Sequence, residues 1–192
     1  AMKLTDATLA IWRELFASLP SARLVAVGVP VGSARARVAE ALALGADRSE
    51  CGPRLDDAGY RSMFARVDVA LDPTPFSGAT TTLDALWQGV PVVTLPGPWT
   101  WSRSTASLLS GLSAEAWIAR DASHYVAIAR GLAGSAEALA ALRAGLRARV
   151  AASPMADVAG FVAHLEDAYR RAWSAFVGGE LHRDDAARAR GA

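Results

Sequence analysis

Residues 67–97 read VDVALDPTPFSGATTTLDALWQGVPVVTLPG, a pattern of strand, open loop, helix and second strand. Val67, Val69 and Leu71 alternate into Asp72, and Pro73 and Pro75 then interrupt regular structure. Gly78 lets the backbone come close to something. Thr80, Thr81 and Thr82 stand at a helix start, where the first backbone N–H groups lack an internal partner. Free N–H groups, the positive end of the helix dipole and hydroxyls together make a candidate phosphate cradle. Asp84 lies four residues after Thr80 on the same helix face and can accept hydrogen bonds from a sugar. Gly89 ends the helix, and residues 90–95 are apolar enough for a buried parallel strand. A nucleotide site is the first hypothesis. The plain alternative is that Thr80 merely caps a helix and Asp84 is an ordinary first-turn acid.

Outward from this stretch the same alternation continues. Thr5 predicts a cap for a helix over 6–19, with Leu9, Trp12, Leu15 and Phe16 as one apolar stripe and Pro20 as its stop. ARLVAVGV at 22–29 reads as a strand buried on both faces. A helix over 33–44, a short strand near 48–52 and a helix over 58–66, led in by Leu55, Asp56 and Asp57, complete the first half. Beyond residue 97 a loop over 98–101 precedes a helix over 102–112, and 116–119 is a short strand candidate. Asp121 and Ser123 cap a helix through 133, and Ser135 caps another through 150. A long helix over 155–176 carries Val158, Phe161, Val162, Leu165, Tyr169, Trp173 and Phe176 at core spacing.

Strands alternating with helices predict an α/β fold with a parallel sheet and flanking helices. One domain over 1–177 is expected, followed by a charged, alanine-rich tail at 178–192 that frays. Such sheets bind ligands beyond the carboxyl ends of their strands. The loops after Leu71 and Leu95 occupy such positions and can face one crevice.

Composition sets the outer limits. The 192 residues suffice for one core, and 52% apolar against 20% charged residues argues against disorder across most of the chain. With 20 basic and 19 acidic residues the net charge is +1, giving no electrostatic case for nucleic acid or an anionic membrane. A single cysteine, Cys51, excludes an internal disulfide framework and fits a reducing compartment. No secretory signal or membrane-spanning run is read, so a cytoplasmic location is expected. The chain opens almost directly on a helix, as though cut from something longer.

Other candidates stay open at this level. Trp99 and Trp101 form either a base-stacking loop or a patch packed against another domain. Ser102, Arg103, Ser104 and Thr105 start a helix that is a second possible anion site with a fixed cation, or Arg103 is simply solvated. Lys3 is the only lysine, and a lone terminal lysine is usually a solvated charge. His124, His164 and His182 are scattered without metal-ligand spacing, and no Ser-His-Asp set forms. GVPVG at 28–32 is not the G-x-G-x-x-G dinucleotide pattern, and no G-x-x-x-x-G-K-[ST] loop occurs.

The run at 67–97, with SRSTASLL after it, resembles the C-terminal catalytic half of protein O-linked N-acetylglucosamine transferases. The bacterial tetratricopeptide-repeat-linked and SPINDLY-like members look closest. The resemblance extends through AWIARDASHYVAIA and LRAGLRARVAASPMADVAGFVAHLEDAYRRAW, and upstream through KLTDATLAIWRELFASLPSARLV. It implies one Rossmann-like half of a GT-B glycosyltransferase, with UDP–N-acetylglucosamine as donor substrate and the Ser or Thr hydroxyls of a protein or peptide as acceptor. It further implies, as partners, an N-terminal catalytic half and tetratricopeptide repeats.

By the same resemblance Thr80 and Thr81 match phosphate-contacting threonines, and Asp84 matches the aspartate that holds the ribose. Lys3 matches the lysine that faces the diphosphate and helps the leaving group, and Ser77, Gly78, Ala79 and Tyr60 complete the UDP-binding set. No metal or other cofactor is expected, since cationic groups can meet the charge of the departing UDP. Departures are plain. Ser77 stands where many relatives have asparagine, Ala79 where animal members have histidine, and Tyr60 where the family has histidine. Asp57 and Met63 occupy the positions of a family lysine and arginine. Two other readings stand beside this one: a nucleotide- or partner-binding module without chemistry, and a transferase for another sugar or for asparagine.

Overall fold

The computed structural model describes residues 3–178, which group into two compact units, Ala1–Ala152 and Ser153–Ala192. The expectation of one domain over 1–177 therefore meets a division after residue 152. The expected tail, beyond Gly178, lies outside the described residues.

In the first unit, helix α1 (Asp6–Ser18) starts where Thr5 accepts the Thr8 N–H, and it buries the expected Leu9, Trp12, Leu15 and Phe16. Strand β1 (Leu24–Ala26) is shorter than its apolar run. The backbone leaves the strand and turns at Gly28, whose φ is +74°, a left-handed conformation that favours glycine. Helix α2 (Ser33–Leu42), strand β2 (Ser49–Cys51) and helix α3 (Asp57–Met63) follow, the last capped by Asp56 and tightening into a 3-10 turn at Phe64–Arg66.

Strand β3 (Ala70–Leu71), helix α4 (Thr80–Trp87) and strand β4 (Val92–Val93) realise the central stretch. Helix α5 (Ser104–Gly111) comes after a 3-10 turn at Thr100–Ser102. The strand candidate at 116–119 is instead a 3-10 turn, Glu115–Trp117, followed by one parallel bridge from Ile118 to Thr94. Helices α6 (Ala122–Ala133) and α7 (Ala136–Ala151) begin where the sequence places them, because Asp121 accepts the His124 N–H and Ser135 the Ala138 N–H.

Among the described residues all strand pairing is parallel, but in two short sheets rather than one. In β1–β2, Leu24 faces Ser49; in β3–β4, Ala70 faces Val92. Strands β1 and β3 and Glu50 of β2 line a cavity of about 1310 Å³, to which Val25, Val27, Val69 and Leu71 contribute. The core packs Leu9, Trp12 and Phe16 of α1 with Val38 and Leu42 of α2, Val93 of β4 and Tyr125, Val126 and Ala129 of α6. Trp12 Nε1 donates to Tyr125 Oη at 3.3 Å, and Tyr125 Oη donates to the Asp72 carbonyl at 3.1 Å. Burial pushes the Tyr125 hydroxyl well above its ordinary pKa, so it remains a donor. The core thus grips the end of β3, where the candidate site begins.

The second unit contains a 3-10 turn (Pro154–Ala156) and helix α8 (Val158–Val177), capped by Asp157. The apolar stripe of α8, expected as core, is not buried there: no residue of the helix is. The described part of this unit, one helix and one turn, cannot cover that apolar face by itself. Among the described residues no single helix is long and apolar enough to cross a membrane.

Candidate functional site

Four polar side chains shape the loop between β3 and α4. Asp72 directly follows β3, is 6% exposed and points its carboxylate back into the loop. Oδ1 accepts the Gly78 N–H at 2.7 Å and Oδ2 accepts the Thr94 hydroxyl at 2.7 Å. Thr105 donates to the Gly78 carbonyl at 3.0 Å and shares a 2.8 Å hydrogen bond with Thr82. Gly78 is therefore held from both peptide faces. A Cβ there would meet Thr82 Oγ1 at 2.6 Å and Thr81 Oγ1 at 2.8 Å, so only glycine leaves the threonines in place.

Ser77 ties this loop to the one after β4. Its N–H and hydroxyl both donate to the Trp101 carbonyl, at 3.2 and 3.1 Å, and its Oγ accepts the Ser104 N–H at 3.1 Å. The expectation that the two loops share one crevice is met by direct hydrogen bonds. The supposed second anion site at the start of α5 thus spends the Ser104 N–H on closing the first, while Arg103 is exposed.

Lys3 reaches the same place because α1 is stitched to the loop. Thr5 and Thr8 both donate to the Thr74 carbonyl, and Thr74 N–H donates back to Thr8 Oγ1 at 3.0 Å. Just before that cap, Lys3 Nζ donates to the Ser77 carbonyl at 3.0 Å and lies 4.6 Å from the Phe76 ring centroid. The reading of a solvated terminal charge is replaced by a lysine held at the loop.

These elements enclose a cavity of about 360 Å³ lined by Lys3, Ser77, Ala79, Thr80, Thr81, Ser104, Phe76 and Trp101. The larger cavity also has charged residues in its lining, Arg23, Glu50, Arg66, Asp68 and Arg143 among them, but only the smaller one includes the start of α4. The N-cap of α4 is Ala79, which makes no side-chain cap, so Thr80 is not the capping residue that the plain reading supposes. Thr82 and Leu83 N–H donate to the Ala79 carbonyl, whereas the N–H groups of Thr80 and Thr81 have no hydrogen bond among the described residues. Two free donors at the positive end of α4 stand beside one ammonium group. That combination binds anions.

Asp84 does not line this cavity. It sits one helical turn on, where Tyr60 Oη donates to its Oδ2 at 3.1 Å. Burial first, and then the Asp84 charge, push the Tyr60 hydroxyl up to about 12. Among the described residues no three His, Cys, Asp or Glu side chains group to hold a metal ion.

Sequence reading missed Asp72, Thr94 and Thr105 as the frame of the site. Asp72 carried one signal: an acid closing an alternating apolar strand directly before a proline-rich loop. Trp99 and Trp101 stack on each other, with centroids 5.4 Å apart and planes 6° from parallel, while remaining 57% and 50% exposed.

Comparisons with known proteins place the chain in a family. A family described as glycosyl transferase family 41 matches residues 2–165. The probable UDP-N-acetylglucosamine–peptide N-acetylglucosaminyltransferase SPINDLY of Petunia hybrida is 32% identical over 185 residues, covering 93% of this chain and 20% of the relative. The Arabidopsis thaliana protein of the same description is 32% identical with the same coverage. A UDP-N-acetylglucosamine–peptide N-acetylglucosaminyltransferase of Caenorhabditis elegans is 34% identical over 113 residues, 59% of this chain and 10% of its own length. A solved structure of the Thermobaculum terrenum O-GlcNAc transferase mutant K341M matches with a TM-score of 0.82 and 36% identity, covering 89% of this chain and 34% of that one. The chain spans about a fifth of the length of its SPINDLY relatives. The expected α/β fold class agrees with the structural match, and the chain belongs to glycosyl transferase family 41.

Proposed function

We propose that this chain is the nucleotide-sugar-binding half of a GT-B enzyme that transfers N-acetylglucosamine from its UDP donor to Ser or Thr hydroxyls of proteins. One observation carries the reading: Lys3, Thr80 and Thr81 surround one small cavity at the free N-terminus of α4. The diphosphate takes the two free N–H groups, the threonine hydroxyls and the Lys3 ammonium. Asp84, on the same helix, takes the ribose hydroxyls.

In transfer the bond from the anomeric carbon to the β-phosphate oxygen breaks, and its electron pair leaves with UDP. The acceptor oxygen bonds to that carbon and gives up its proton. Lys3 and the α4 dipole stabilise the charge developing on the departing UDP, so the reading invokes no metal. Among the described residues no histidine or carboxylate lines the cavity, so in this reading the base that takes the proton comes from elsewhere. In this reading the base comes from an N-terminal half, with tetratricopeptide repeats presenting the protein substrate. The fraction of the relatives' length that the chain spans supports this division. A cytoplasmic setting belongs to the same reading, supported by the single, buried Cys51.

The test is a titration of the 192-residue chain with UDP and UDP–N-acetylglucosamine, paired with a transfer assay on a Ser/Thr peptide. Weak, saturable binding of both without turnover is expected. No binding of either at millimolar concentration contradicts the proposal. A non-catalytic nucleotide module is the second reading, favoured by the exposed Asp57 and by Met63, which lines the larger cavity, at the two family cation positions. The gene's full-length product decides between them, since a module binds UDP and transfers nothing.

A further inference from the structure

The link between Tyr60 and Asp84 joins helices α3 and α4 and lies outside the phosphate cavity. Tyr60 is anchored on its ring side. Its edge meets Phe64 at a centroid distance of 5.2 Å and an angle of 77°, and Phe64 is 6% exposed in the 3-10 turn ending α3. The other end of α3 is fixed by Asp56, which accepts the Gly59 N–H at 2.8 Å. Tyr60 Oη is thus delivered from a fixed helix onto one carboxylate oxygen of Asp84. The other oxygen, Oδ1, makes no hydrogen bond among the described residues.

An ionised carboxylate only accepts, and its terminal torsion is broad and roughly two-fold. A tyrosine that occupies Oδ2 removes that freedom and leaves Oδ1 for a ligand hydroxyl. Because the Tyr60 hydroxyl is held protonated to about pH 12, it remains the donor across the physiological range.

We infer that Tyr60 is a positioning residue for the sugar of the nucleotide: it locks Asp84 so that Oδ1 receives the vicinal hydroxyls of a ribose. The inference rests on the proposed reading of Asp84 as the ribose contact. Tyr60 acts through Asp84 and touches no reacting atom. Immobilising one such side chain in advance is worth about 3–10-fold in affinity.

The experiment is calorimetry of the 192-residue chain and its Tyr60→Phe, Asp84→Ala and double variants, with UDP and 2′,3′-dideoxy-UDP as probes. Phenylalanine keeps the ring on Phe64 and removes only the hydroxyl. Tyr60→Phe is expected to weaken UDP about 3–10-fold while leaving the dideoxy analogue unchanged. In the Asp84→Ala background the same change is expected to do nothing further. Equal weakening of both nucleotides, or full retention of UDP affinity and discrimination, overturns the role of Tyr60 while the UDP reading stands. A wild-type chain that binds both nucleotides equally overturns the ribose assignment of Asp84, and the inference with it.

Discussion

The Asp72 carboxylate accepts the Gly78 N–H at 2.7 Å, closing the proline-containing loop that separates β3 from α4. Neither residue lines the cavity at the start of α4, yet Gly78 packs directly against Thr81 and Thr82, whose Oγ1 atoms an added Cβ would meet within 3 Å. Replacing Asp72 by Ala strands the Gly78 N–H and the Thr94 hydroxyl in a buried place, at a cost of about 2–4 kcal/mol. Asp72→Asn keeps an acceptor for Gly78 and a partner for Thr94, and chemical denaturation is expected to show a much smaller loss.

The same carboxylate has a pH signature. Burial lifts its pKa above the ordinary aspartate value, and hydrogen bonds from Thr94 and Gly78, with the Lys3 charge, offset only part of that. The folded chain then binds this proton more tightly than the unfolded one. Its contribution to stability is fullest below the ordinary aspartate pKa and declines as pH rises through the raised value. Relative to Asp72→Asn, the wild-type chain is expected to gain stability as pH falls from neutral toward 4. Parallel stability profiles would remove the carboxylate from that role.

Gly78→Ala tests the close packing under the threonines. The added methyl must displace Thr81 and Thr82 Oγ1, which stand within 3 Å of its position. UDP affinity is expected to fall at least tenfold, with a stability loss of about 1–3 kcal/mol from overpacking. Unchanged affinity would mean that the loop is not the phosphate floor.

Lys3→Met separates charge from structure. Lys3 is half-buried, and its side chain makes one hydrogen bond, to the Ser77 carbonyl, which the Trp101 and Ser104 contacts of Ser77 hold in place without it. Thermal stability is expected to change little, while affinity for UDP falls and affinity for uridine does not. An equal loss for both ligands would place Lys3 in the frame rather than against the diphosphate.

Much of this was legible before any coordinates, and the limits have physical causes. Helix starts were readable because Thr5, Asp121 and Ser135 cap within their own segments. Strand ends were not, because hydrophobicity continues past the point where the backbone turns at Gly28. The fold class and the Thr80–Thr81 turn followed from order along the chain. The frame did not: Asp72 meets Thr94, and Thr105 meets Gly78, only after the two loops come together. Likewise the periodicity of α8 marks an apolar face but carries no information about what lies against it.

The most direct measurement is calorimetry of UDP binding by the chain and by Thr80→Ala, Thr81→Ala and Asp84→Ala. Each lost hydrogen bond to a charged or sugar group is expected to weaken UDP about 5-fold or more. Circular dichroism is expected to remain unchanged for Thr80→Ala and Thr81→Ala, because both side chains are exposed and make no hydrogen bond among the described residues. Wild-type binding of UDP with a clear loss in all three variants is the expected result. Normal binding of UDP by all three would contradict the assignment of the α4 N-terminus as the nucleotide site.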